Sequence, residues 1–185
     1  RERYDARVIP FHNSTDSQVF GQGVVGVPAT TFTDWPDENI HSTSDDLWQV
    51  DPTQLKRNNI AVAAMTLYLA NAGDADLPGL AAHMYGKSQQ RLSRDARIAM
   101  EMVIKAAPAD RAAAYKQADF IVRHSVRREK QSIESIRAFA SKGGTGENVV
   151  AATVSLLSTE AGASERLAAS CTALLGEKPP KIVPT

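Results

Sequence analysis

The chain has 185 residues, 43% of them apolar, and 21 Lys+Arg against 21 Asp+Glu, so its formal net charge is zero. That is enough for one ordinary domain, or a small domain with an appendage, and enough apolar side chain for a packed core. The balance speaks against a nucleic-acid binder, which carries a basic surplus, no apolar run reaches the roughly 18 residues of a membrane helix, and the single cysteine, Cys171, excludes an intrachain disulfide. Cys171 sits in an Ala- and Leu-rich segment and reads as a small buried apolar residue.

The chain opens on RERYDARVIP, without an initiator Met or a visible signal peptide, as an expressed fragment, a proteolytic product or a piece of a longer protein would. Val8-Ile9-Pro10-Phe11 reads as the end of a buried strand. A polar turn, His12 to Thr15, leads to Asp16 as an N-cap for a short helix from Ser17 to about Gly21. Val24 to Phe32 reads as a Gly-Pro entry into a second strand. The loop from Thr33 to Asp46 is long and polar, a type of segment that is often functional in compact domains. Asp51 and Pro52 then mark a helix start, because Asp accepts from early N–H groups and Pro at the first helical position gives up an N–H that has no partner there. That helix runs from Pro52 to about Asn71, with Gly73 at its end.

From Asp74 onward the chain reads as wholly helical, broken at Pro78-Gly79, Pro108, Gly143-Gly144 and Gly146. The expected helices are 77–106, 109–141 and 147–175, the last with a possible bend at Gly162. In the middle one Val122, Val126, Ile133, Ile136 and Ala140 keep the three-four spacing of a bundle seam, which Glu129 interrupts. The tail 177–185 reads as extended. The organisation expected is therefore 1–73 as the α/β part, 74–176 as a helical extension and 177–185 as tail.

Among the histidines, His41 stands out. A lone loop histidine is more often a surface residue than a ligand, but Asp45 and Asp46 follow it closely and can brace its loop or accept from its ring, and Trp35-Pro36 stiffen the approach. One imidazole is still short of the three or more protein ligands of a zinc site. His12 reads as a turn residue. His83 and His124 lie in helical stretches, and no two histidines show the i, i+4 spacing of a helical metal pair. The basic stretch Arg123, Arg127, Arg128, Lys130 is interleaved with Glu129 and Glu134 and reads as a solvated helix face. The string Gly21-x-Gly23-x-x-Gly26 lacks the strand–helix context of a dinucleotide site. Lys142-Gly143-Gly144-Thr145 has the wrong order for a phosphate loop and reads as a turn between helices.

Four linked motifs, STDSQVF, GVPATTF, WPDENIHSTSDD and VDPTQLKR, lie in order between Asn13 and about Ala64. In sequence, order and spacing this stretch resembles the C-terminal end of the catalytic domain of metallopeptidase family 28. These are the co-catalytic di-zinc aminopeptidases of the bacterial leucyl aminopeptidase type, with glutamate carboxypeptidase and glutaminyl cyclase relatives. The resemblance covers under a third of the chain. The helical remainder is similar, more loosely, to helical extensions on some bacterial members.

The resemblance implies an α/β fragment, the last strands and helix of a zinc-exopeptidase sheet domain, followed by an α-helical region. It implies that His41 is the last zinc ligand, that Asp16 is a buried capping aspartate and not a ligand, and that Asp45 braces the histidine loop. Pro28 and Ala29 would begin the strand that feeds that loop. It implies two zinc ions in the complete site, metal-assisted hydrolysis of a peptide substrate, and a general-base glutamate. No catalytic residue of this chain is assigned. Where the family has Tyr or Trp before the histidine this chain has Ile40, which has no side-chain donor for an oxyanion.

The remaining ligands would come from the upstream part of the same catalytic domain, so the chain is expected to be incompetent alone. The helical region would pack on the catalytic domain or form a homo-oligomer surface. No nucleic-acid or membrane partner is expected. A secreted or periplasmic location follows from the resemblance only. The alternative reading is a non-catalytic binding or scaffold protein that retains part of the peptidase fold.

Overall fold

The computed structural model describes residues 30–33 and 37–176, together with Val19 and Pro179. The chain divides into two compact units, Arg1–Ala70 and Asn71–Thr185. Among the described residues there is no strand; the secondary structure is all helical. The expected α/β class is therefore corrected. Thr30, Thr31 and Phe32, placed by sequence in a strand, carry no strand assignment. β-Branched residues favour extended backbone, but a strand exists only as part of a ladder whose neighbour closes its backbone hydrogen bonds. The proposed strand Val8–Phe11, the entry Val24–Ala29 and the capping Asp16 lie outside the described residues.

In the first unit a short 3-10 turn, Leu47–Gln49, precedes helix α1, Pro52–Asn71. The start of α1 follows from its cap: Asp51 Oδ1 accepts from the N–H of Thr53 at 2.7 Å and of Gln54 at 3.3 Å. Apolar residues fall on all sides of α1, and none is buried; Leu55, Ile60, Val62, Met65 and Leu69 are all exposed.

The second unit holds α2 (Leu77–Lys105), α3 (Arg111–Ser135), a 3-10 turn at Ile136–Phe139, α4 (Thr145–Leu156) and α5 (Glu160–Leu175). The segment expected as one helix over 147–175 is two. It breaks at Leu157–Thr159 instead of bending at Gly162, because Thr159 acts as a new N-cap whose hydroxyl accepts from Gly162 N–H at 3.0 Å. α5 ends at Gly176, whose φ of 72° is the left-handed C-cap conformation that glycine adopts without a Cβ penalty.

α2 and α3 run antiparallel: Ser88 meets Glu129 and Asp95 meets Ser125, so numbers fall along α3 as they rise along α2. Two apolar clusters result. The N-terminal half of α2, the end of α3 and α4 enclose Leu77, Ala81, Ile133, Ile136, Val150 and Leu157. The C-terminal half of α2, the start of α3 and α5 enclose Ala99, Val103, Tyr115, Val122, Val126, Leu167 and Cys171. Burying each Leu, Ile or Val contributes about 1.5–3 kcal/mol. Leu92 packs against both clusters.

Between the clusters lies a polar belt. Glu129, only 1% exposed, accepts from Ser88 Oγ at 2.8 Å, from Arg91 Nη2 at 2.6 Å and from Arg128 Nη2 at 2.8 Å. Asp95 accepts from Ser125 Oγ at 2.7 Å and Arg128 Nη2 at 2.9 Å. Glu129 does not interrupt the seam of α3. It occupies a seam position with every carboxylate oxygen engaged, which is the condition for burying a charge.

Candidate functional site

The loop from Asp37 to Val50 is built from short polar side chains that bond their own backbone. Asp37 Oδ1 accepts from the N–H of Asn39 at 2.9 Å and of Ile40 at 3.1 Å, an Asx turn closing the approach to the histidine. Ser42 N–H and Ser42 Oγ both donate to the Asn39 carbonyl, at 3.0 and 2.7 Å, and Ser42 Oγ accepts from Ser44 N–H at 3.1 Å. Asn39 Nδ2 donates to Gln49 Oε1 at 2.5 Å, while Gln49 Nε2 donates to the Ser44 carbonyl. Gln49 thus pins both limbs of the loop to the 3-10 turn.

At the apex of this frame is His41, with φ of 63°, the one positive φ among the described non-glycine residues. A left-handed histidine costs roughly 1 kcal/mol against the right-handed regions, and such outliers gather at functional sites. Its imidazole is exposed. The preceding Ile40 is also exposed and has no polar side-chain atom to offer.

The bracing comes from two residues that sequence reasoning passed over. Asp45 contributes its N–H to the Ser42 carbonyl at 3.3 Å, but its carboxylate has no hydrogen-bond partner among the described residues. Asp46 Oδ1 accepts from Leu47 N–H at 2.6 Å and caps the 3-10 turn. Asp37 and Gln49 hold the loop instead. The signal for Asp37 was present, since an Asp two residues before Asn39 has the spacing of an Asx turn. Nothing local signalled Gln49, ten residues from Asn39.

Among the described residues, no group of three or more His, Cys, Asp or Glu side chains is arranged to hold a metal ion. The described donor set therefore does not by itself fit a zinc centre, which takes at least three protein ligands; His41 offers one. His83 and His124 lie exposed on α2 and α3, and His124 stacks on Phe120 with ring centroids 5.8 Å apart. His12, Trp35 and Pro36, like Asp16, Pro28 and Ala29, lie outside the described residues.

The basic stretch of α3 is engaged by carboxylates. Arg127 Nη2 pairs with Glu160 Oε2 at 2.8 Å and Arg123 Nε lies 3.8 Å from the same oxygen, joining α3 to the first turn of α5. Arg128 bridges Asp95 and Glu129. Cys171 is 1% exposed, and burial pushes its thiol up from the usual value, so it is a packing residue and not a nucleophile. No described helix is long and apolar enough to cross a membrane.

Comparison of the chain with protein-family models, with curated proteins and with solved structures found no match.

Proposed function

We propose that this chain is a portion of a zinc-dependent exopeptidase, most simply an aminopeptidase, and that His41 contributes one metal ligand to a site completed by other residues. The observation that carries this reading is His41 itself: an exposed imidazole at φ 63° on a loop fixed by Asp37, Asn39, Ser42 and Gln49. A metal ligand needs a mount of this kind, because a ring that must relax before coordinating loses affinity. The motifs WPDENIHSTSDD and VDPTQLKR support the same assignment. So does α1, whose apolar residues on all sides are typical of a helix buried in a larger assembly. In the complete enzyme the zinc ions would activate water and polarise the scissile carbonyl. The contribution of this chain is to hold one imidazole.

The test is metal content and peptidase activity of the polypeptide that contains this chain with its full ligand set, as wild type and as His41→Asn. Asn tolerates the left-handed backbone but removes the imidazole. Loss of zinc and activity with an unchanged fold supports the reading; unchanged zinc binding opposes it. Ile40 favours the second reading, a binding or scaffold protein without catalysis, since it has no donor for an oxyanion. Zinc-loaded protein that binds peptides without cleaving them would select that reading.

A further inference from the structure

We propose that the cleft between α2, α3 and α5 is a binding site for a small amphiphilic carboxylate, a single negative charge on an apolar chain. It lies wholly within the helical unit and stands independently of the His41 reading. The cleft has a volume of about 310 Å³. Its floor is apolar: Val122, Val126 and Leu167 are buried there, with Leu92 and Met100 half-buried beside them. The cleft is open to solvent on one side, so a ligand can reach its apolar floor from the mouth. It lies at the lower end of the volumes of small-molecule pockets, which in helix bundles lie between the helices.

The rim determines the class of occupant. Arg166 is the one charged side chain among the described residues that line the cleft. It is exposed at the rim and has no carboxylate partner among the described residues; it donates only to the hydroxyl of Ser158, another rim residue. A guanidinium with free donors matches a carboxylate in a planar, two-point contact. Ser93 and Ser170 also line the cleft, and their hydroxyls make no side-chain hydrogen bond among the described residues, so they can donate to the same headgroup. An apolar floor with a cationic, hydroxyl-bearing mouth selects a ligand whose tail enters and whose charge stays outside. A methylene takes about the room of a water, roughly 30 Å³, so a tail of about eight to ten carbons fills the space.

The experiment is calorimetric titration of the full chain with sodium decanoate below its micelle concentration, with decanol and butanoate as controls. Saturable one-site binding of decanoate is expected, at least tenfold tighter than either control. Arg166→Glu is expected to weaken it at least tenfold, and Ser93→Trp, at an exposed rim position, to abolish it by blocking the mouth. Far-UV circular dichroism checks that the helices persist. Should Arg166→Glu disturb them, Arg166→Gln, which keeps a donor for Ser158, must show the same direction of loss. No saturable binding by the wild type, equal binding by the Arg166 variants, or decanol binding as tightly as decanoate would each overturn the proposal.

Discussion

Asp74 does for helix α4 what an N-cap side chain normally does, from 72 residues away: its Oδ1 accepts from Gly146 N–H at 3.1 Å and from Ser141 N–H at 3.2 Å. The local N-cap position is Gly144, which has no side chain, so the first turn of α4 would otherwise leave its donors open. The close approach of this carboxylate accounts for glycine at 144 and 146, where a Cβ would collide with it. Hydrogen bonds from Ser141, side chain first and then backbone, together with that from Gly146, hold the Asp74 carboxyl below its ordinary range.

This arrangement makes Gly146 sensitive to a single methyl. A Cβ there would collide with Leu77 Cδ1 and Asp74 Oδ1, and one at Gly144 would lie 2.6 Å from Asp74 Oδ2. Gly146→Ala is expected to destabilise the helical unit by about 1–3 kcal/mol through overpacking, although alanine is the better helix former. Asp74→Ala is expected to lower the melting temperature and to loosen α4 first. Urea titration, with hydrogen exchange of the α4 amides, checks both. An unchanged midpoint for Gly146→Ala would refute the packing argument.

Glu129 is 1% exposed and accepts hydrogen bonds from three side chains. Burial would raise its pKa, but bonds from Arg91, Ser88 and Arg128 outweigh burial and hold it below the ordinary 4.5. Glu129→Gln removes the charge and leaves two guanidiniums facing it. Because Arg91 and Arg128 are each 45% exposed and can turn to water, the expected cost is near the lower end for a broken buried pair, about 3 kcal/mol. Chemical denaturation of the variant at neutral pH measures it.

Acid should act through the same groups. Asp74, Glu101, Glu129 and Glu160 all have folded pKa values lowered from 3.8 for Asp and 4.5 for Glu. A carboxyl that is more acidic when folded contributes stability above its unfolded pKa, and loses it as pH falls through the folded one. Stability should therefore be flat from neutral pH down to about pH 5–6 and decline below that. Glu129→Gln should show a shallower decline. Melting temperature against pH for both proteins tests this, and parallel curves would exclude Glu129 as a contributor.

At the loop, His41→Gly and His41→Asn both accommodate φ 63°, so either should leave the Asp37–Gln49 frame intact, whereas His41→Val should disturb it by roughly 1–2 kcal/mol of local strain. Amide chemical shifts of Asn39, Ile40 and Ser44 report the frame. A loop that shifts equally in all three variants would mean that the imidazole, and not the backbone, holds it.

At α5, Thr159→Ala removes the hydroxyl that accepts from Gly162 N–H, and a lost N-cap costs about 1 kcal/mol. Denaturant unfolding measures it. A variant as stable as wild type would mean that the ion pairs from Glu160 to Arg127 and Arg123 suffice to start the helix.

The features legible in the chain before folding are local ones. Asp51-Pro52 placed the start of α1, the three-four spacing of Val122, Val126, Ile133 and Ile136 placed the buried face of α3, and the Ala-Leu setting of Cys171 placed it in the core. Each rests on side-chain period or on a cap within four residues, and such signals are written in adjacent positions. The α/β class went wrong because β-branched composition around Thr30–Phe32 states a preference, while a strand requires a partner that no local rule supplies. The break at Leu157–Thr159 was legible too, since Thr159 caps Gly162 three residues on, but a reading by Gly and Pro breakers looks past a Thr cap. The roles of Glu129 and Asp74 emerge only when the helices pack. A charge in a seam reads as a fault until Ser88 and Arg91 arrive from a helix some 40 residues away, and a glycine N-cap reads as open until Asp74 folds back upon it. Long-range partners satisfy buried polar groups, and the chain encodes those partners only through the fold that joins them.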